Sequence, residues 1–124
     1  MRQGREKTMT DTLYFVLDLK DDVDLIERYQ AWHAPGQVPD AINRSIREAG
    51  IEALEIFLAG NRLMMALTPG PGFDAAKKAA LDAANPDVQA WEDLMWTFQQ
   101  ALPFARQGEK WLPMHRIYAL SEQG

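Results

Sequence analysis

Tyr29 and His33, four residues apart, are the side chains in this sequence best suited to proton chemistry. On a helix, positions i and i+4 share one face, one turn apart. Pro35 follows two residues after His33, and proline ends or kinks a helix just before itself. The imidazole therefore falls near the end of a helical turn, beside a phenol and next to irregular backbone. An unperturbed imidazole titrates at about 6.5, so it can exchange protons near neutral pH. The same position also suits a plain structural role, with the ring capping a helix carbonyl. The chain has one other histidine, His115, and no cysteine. Thiolate nucleophiles, disulfides and zinc–sulfur sites are thereby excluded. P-loop, GxGxxG, HExxH and GxSxG patterns do not occur, and the paired-histidine and cysteine clusters that bind transition metals are missing too. What remains is acid–base chemistry at His33 and Tyr29, with a carboxylate such as Glu92 converging on them. Trp91 beside it offers an aromatic face of the kind that stacks on sugar rings, although core packing explains a helical tryptophan equally well. Trp91 and Trp96 are five apart and cannot share one narrow stripe, so one of them faces away from the main core.

Composition narrows the classes further. With 124 residues, 47% hydrophobic and 25% charged, the chain has the size and balance of one ordinary globular domain. A net charge of −5 with scattered lysines and arginines argues against nucleic acid as a partner, because phosphate binding needs clustered cations. No apolar run approaches the roughly 18 residues of a membrane span, and a membrane-surface role is disfavoured too. The first residues are charged and lack the apolar stretch of a secretory signal. A cytoplasmic protein is expected, with residues 1–10 as a flexible arm (Met9 being an alternative start) and 11–121 as a single domain.

The elements that would position the site follow from local pattern. Leu13 to Leu19 reads as a strand, and Asp22 or Asp24 caps a helix carrying Leu25, Ile26, Tyr29, Trp32 and His33. A second helical run extends from Pro39 to a stop at Gly50. Two strands, 53–58 and 62–68, flank Gly60-Asn61, a hairpin turn signal. An alanine-rich helix covers 73–84, Asn85-Pro86 opens another that continues to about Gln100, and 111–120 forms a last strand. Strand, helix, strand, strand, helix, strand implies a ferredoxin-like α+β domain, a four-stranded antiparallel sheet with helices on one face. The hairpin strands are apolar at nearly every position, whereas a sheet open to water alternates. A second subunit covering the free face, in a homodimer, is therefore expected.

Several spaced motifs resemble the L-rhamnose mutarotase family, and in particular its branch found with L-fucose catabolism. They are Tyr29-x-x-x-His33 before Pro39, Gly60-Asn61-Arg62-Leu63, Asn85-Pro86-x-Val88-Gln89-x-Trp91-Glu92-x-x-Met95-Trp96, and Gly108-Glu109-Lys110-Trp111-x-x-Met114. The resemblance covers about Leu13 to Leu120. It implies a dimeric ferredoxin-like enzyme, without metal or cofactor, that interconverts the α and β anomers of a 6-deoxyhexose such as L-fucose or L-rhamnose. It puts the family's proton donor on His33 and a substrate-contacting tyrosine on Tyr29; the expected chemistry is protonation of the ring oxygen by His33 with Tyr29 orienting the sugar. A tryptophan pair of the rhamnose enzymes falls on Trp91 and Glu92, a second tyrosine on Leu54, and a tryptophan before the proline on Val38. Those departures imply a pocket that reads a different set of hydroxyls. Other functions on the same scaffold stay open, namely a cofactor-free monooxygenase, a haem-degrading enzyme or a dimeric ligand-binding module.

Overall fold

The computed structural model describes residues 11–124; the arm expected at 1–10 and the alternative start at Met9 lie outside them. Strand β1 (Leu13–Leu19) is followed by helix α1 (Val23–Trp32) and helix α2 (Asp40–Glu48). The hairpin β2 (Ile51–Ala59) and β3 (Arg62–Pro69) comes next, then helices α3 (Ala75–Ala84) and α4 (Pro86–Trp96). Two short strands, β4 (Gln99–Gln100) and β5 (Leu112–Pro113), complete the sheet.

The strand order is β2-β3-β1-β4, with β5 also on β1 and every pairing antiparallel. This is the expected ferredoxin-like sheet, except that its fourth position is shared. β4 pairs with the Asp18–Leu19 end of β1 and β5 with Phe15–Val16. The strand expected over 111–120 thus shrinks to two residues. Pro113 has no N–H to donate to a ladder, and after one further bond from the Met114 N–H to the Tyr14 carbonyl (2.7 Å) the chain leaves the sheet. The helix expected to reach Gln100 also stops early, at Trp96. Thr97 turns its hydroxyl back to the Leu94 carbonyl (2.6 Å), a local bond that competes with helix continuation.

Register assigns the two faces. Leu17 and Leu63 are paired across β1 and β3, and Leu63 with Leu58 across the hairpin, so all three point to one side. On that side Leu19, Leu63, Tyr29, Met95 and Phe98 form the buried cluster under the helices. Asp22 caps α1 by accepting from the Leu25 N–H (3.0 Å), Asp74 caps α3 and Asn85 caps α4, each satisfying orphan N–H groups of a first turn. Gly60 closes the hairpin at φ 60°, a conformation only glycine adopts at no steric cost. Leu63 is 1% exposed. Leu63→Ala is expected to cost about 2–5 kcal/mol by leaving a cavity beneath the sheet, measurable as a shifted urea midpoint with unchanged slope.

The opposite face carries Val16, Met64 and Phe57 in one row and Tyr14 beside them. Tyr14 and Phe57 are 45% and 49% exposed. Arg62 holds the buried Asp18 carboxylate through two bonds, 2.7 and 3.1 Å. Arg62→Ala would strand that carboxylate, and a lower unfolding midpoint is expected.

Candidate active site

A cavity of about 730 Å³ opens between the helix side of the sheet and helices α1, α2 and α4. Its size lies within the roughly 300–1,000 Å³ of small-molecule sites. All four side chains singled out in the sequence line it: Tyr29, His33, Trp91 and Glu92. Trp91 also walls a shallower hollow of about 250 Å³ next to Trp32.

His33 is the residue at which α1 ends, with φ −99° and ψ 2°, because the chain is already turning toward Pro35. Its ring nitrogen Nδ1 lies 2.7 Å from the Tyr29 carbonyl oxygen. A carbonyl only accepts, so Nδ1 carries the hydrogen and satisfies an orphan carbonyl of the last turn. In the neutral ring that leaves the lone pair on Nε2. The capping bond thus also fixes the tautomer that acid–base chemistry at Nε2 would need. The imidazole stacks at 4.3 Å on the Tyr29 ring and stands 5.6 Å from Trp91, edge to face.

Burial pushes the imidazole below its ordinary 6.5, partly offset by the bond to the Tyr29 carbonyl. Burial likewise pushes the Tyr29 phenol above 10, against a smaller lowering from the Gln99 amide. At neutral pH the cavity thus holds an uncharged base beside an uncharged acid. A folded imidazole with a depressed pKa binds fewer protons than the unfolded one. Stability from His33 is complete above about 6.5 and is lost as pH falls through the lower folded value. Urea melts of the parent and of His33→Gln should accordingly diverge least on acidification, with the parent losing its relative advantage below pH 6.5.

Gln99, not foreseen in the sequence, also lines the cavity, 6% exposed, and its Nε2 donates to the Tyr29 hydroxyl at 3.2 Å. Lys110 and Trp111, from the Gly108-Glu109-Lys110-Trp111 motif, reach the cavity from the loop between β4 and β5. That loop is folded by the Glu109 carboxylate accepting from the Arg106 N–H at 2.7 Å. Lys110 also lies 5.0 Å over the Trp96 ring; Trp91 packs against the buried cluster while Trp96 is 38% exposed, so Trp96 is the tryptophan that faces away from the main core. The Lys78–Asp82 ion pair completes one edge. Glu92 is exposed at the rim. Leu54 and Val38 are both in the cavity wall. Among the described residues no three His, Asp or Glu side chains cluster as a metal-binding group, and no helix is long and apolar enough to cross a membrane.

Comparison with known proteins gives consistent results. The family model of L-rhamnose mutarotase matches residues 12–120. The chain is 53% identical over 110 residues to the L-fucose mutarotase of Xanthomonas campestris pv. campestris, covering 89% of this chain and 88% of that one. A UPF0734 protein of Dictyostelium discoideum is 34% identical over 111 residues, 84% of this chain and 85% of its own. The crystal structure of an L-rhamnose mutarotase from Formosa agariphila superimposes with a TM-score of 0.64 at 18% identity, covering 90% of this chain and 99% of that one. At that identity the likeness is one of fold.

Proposed function

The chain belongs to the L-rhamnose mutarotase family, and from that we infer an isomerase that interconverts the α and β anomers of a 6-deoxyhexose, with L-fucose as the substrate. The observation that carries this reading is the neutral imidazole of His33, its tautomer fixed by the Tyr29 carbonyl, inside a cavity that a hexose can enter.

Ring opening requires the anomeric hydroxyl to lose a proton and the ring oxygen to gain one. In the proposed mechanism Nε2 of His33 takes the proton from the anomeric oxygen. The bond from C1 to the ring oxygen breaks as C1 becomes an aldehyde carbon. The imidazolium then delivers its proton to the ring oxygen, which fits the donor role that the family resemblance gives His33. One nitrogen serves both oxygens in turn because both are bonded to C1. Tyr29 donates its phenolic hydrogen bond to the ring oxygen while that atom carries alkoxide charge. Rotation about C1–C2 exposes the other carbonyl face, and the reverse transfers close the ring. Trp91 supplies an apolar surface for the sugar's C–H face, and Glu92 at the rim accepts from a hydroxyl.

L-fucose is preferred on two grounds. A curated relative at 53% identity carries that activity in its name, and Leu54 and Val38 make two wall positions apolar. The galacto configuration of L-fucose gathers its C3, C4 and C5 hydrogens and the C6 methyl on one face, which apolar walls accommodate. L-rhamnose, with an equatorial C4 hydroxyl and an axial C2 hydroxyl, places its C–H bonds and hydroxyls differently around the ring. Enzyme-dependent anomer exchange, measured at equal enzyme concentration, should be faster for L-fucose; equal or reversed rates would assign the cavity to another hydroxyl pattern.

The working unit is proposed to be a cytoplasmic homodimer. Support comes from the apolar open face of the sheet, with Tyr14 and Phe57 half exposed, and from Ile117, Tyr118 and Leu120 at 90%, 62% and 74% exposure beyond β5. An apolar surface of this kind marks an interface. Sedimentation equilibrium should give twice the chain mass for the parent and the single mass for Phe57→Asp.

A further inference from the structure

We propose that Gln99 is a positioning residue that keeps the phenolic hydrogen of Tyr29 directed at the substrate. The proposal rests on the reading above in which Tyr29 donates to the sugar's ring oxygen.

A phenol has one hydrogen to donate and lone pairs to accept with. In the buried layer between β4 and α1, the amide Nε2 of Gln99 donates to the Tyr29 oxygen at 3.2 Å. That bond occupies an acceptor site of the phenol. It also makes it unfavourable for the phenolic O–H to turn toward Gln99, since hydrogen would then face hydrogen. The hydroxyl must spend its own hydrogen elsewhere. Both side chains line the cavity, so a bound sugar oxygen is the natural acceptor.

The support behind Gln99 is rigid. The residue is paired with Leu19, which is 0% exposed, and the neighbouring Phe98 carbonyl accepts from the Lys20 N–H at 2.9 Å. Phe98 itself meets the Tyr29 ring edge-on at 6.1 Å. Tyr29 is thus held at both ends: its hydroxyl by the sheet through Gln99, and its carbonyl by the His33 ring. The chain of bonds from Gln99 to Tyr29 to His33 sets together the hydrogen-bond donor for the ring oxygen and the base that carries the proton. Such support for reacting groups is what raises a placed side chain to a useful catalyst.

Two substitutions separate this role from simple filling of space. Gln99→Met keeps the shape but removes the donor, freeing the phenol to rotate. A loss of roughly tenfold in kcat is expected, the worth of one neutral hydrogen bond. Gln99→Glu introduces a carboxylate that can only accept, so the phenol turns its hydrogen away from the sugar. About 10²-fold should be lost at neutral pH, comparable to removing a placed donor. As pH falls and the buried carboxyl takes up a proton, it regains a hydrogen to donate. The ratio of the Gln99→Glu rate to the parent rate should then climb, which no packing defect would produce. In a Tyr29→Phe background, Gln99→Met should change kcat no further.

The experiment is exchange NMR of L-fucose anomers with the parent and these variants between pH 5 and 8, alongside urea melts to confirm folding. Equal losses in Gln99→Met and Gln99→Glu with a pH-independent ratio, or an undiminished Gln99→Met effect without the Tyr29 hydroxyl, would overturn the proposal. Failure of the underlying reading is visible separately, as a parent protein that exchanges no anomers at all.

Discussion

His33→Ala is expected to slow enzyme-dependent anomer exchange by about 10²–10⁴-fold, the usual contribution of a placed acid–base group. No second imidazole can substitute, since His115, the only other one in the chain, does not line the cavity. The fold should survive. His33 is only partly buried, and its loss removes one bond to the Tyr29 carbonyl, worth roughly 1 kcal/mol net. His33→Gln should be as inactive as His33→Ala, because an amide can replace the capping bond but has no basic nitrogen. Anomer exchange at parental speed in either variant would take His33 out of the chemistry. The parent's own rate should be flat through neutral pH and fall once the imidazole, held below 6.5 by burial, takes up a proton and Nε2 ceases to be a base.

Tyr29→Phe is expected to lower kcat by about 10–10²-fold, with a much smaller change in KM, as befits a bond that strengthens when the ring oxygen becomes an alkoxide. The ring itself remains, so its contacts with His33 and Phe98 persist. The variant also leaves the Gln99 amide buried without its acceptor. A stability loss of about 1–3 kcal/mol should accompany the kinetic one, read from a urea melt. A proportional rise in KM with kcat unchanged would instead make Tyr29 a ground-state binding residue.

Much of this molecule is legible in the chain because local rules and tertiary needs agree. Asp22, Asp74 and Asn85 announce their helices by capping chemistry, Gly60-Asn61 announces the hairpin, and the i, i+4 spacing of Tyr29 and His33 survives intact to the end of α1. The side of the cavity proposed to carry the acid–base chemistry is therefore readable from one helix turn and one tryptophan. Gln99 was hidden for a physical reason. The apolar rhythm of α4 runs on through Phe98, which is buried at 4% although the helix has already ended. Periodicity alone therefore carries Gln99 along as a helical residue, and only the sheet pairing with Leu19 reveals which way it faces. The last strand misleads in the opposite sense. Trp111, Met114, Ile117, Tyr118 and Leu120 are apolar enough for a strand, yet proline at 113 and the lack of a further partner strand among the described residues leave most of them outside the sheet. Exposed apolar content of this kind is what the proposed dimer would cover.

Exchange NMR on the anomeric protons of L-fucose, at rising concentrations of the unmodified protein and near neutral pH, tests the central chemistry most directly. Cross-peaks between the α and β anomers should build in proportion to protein concentration, and His33→Ala at the same concentrations should return them to the level of buffer. Cross-peaks that do not depend on the protein, or that depend equally on the parent and His33→Ala, would contradict an imidazole-driven mutarotase.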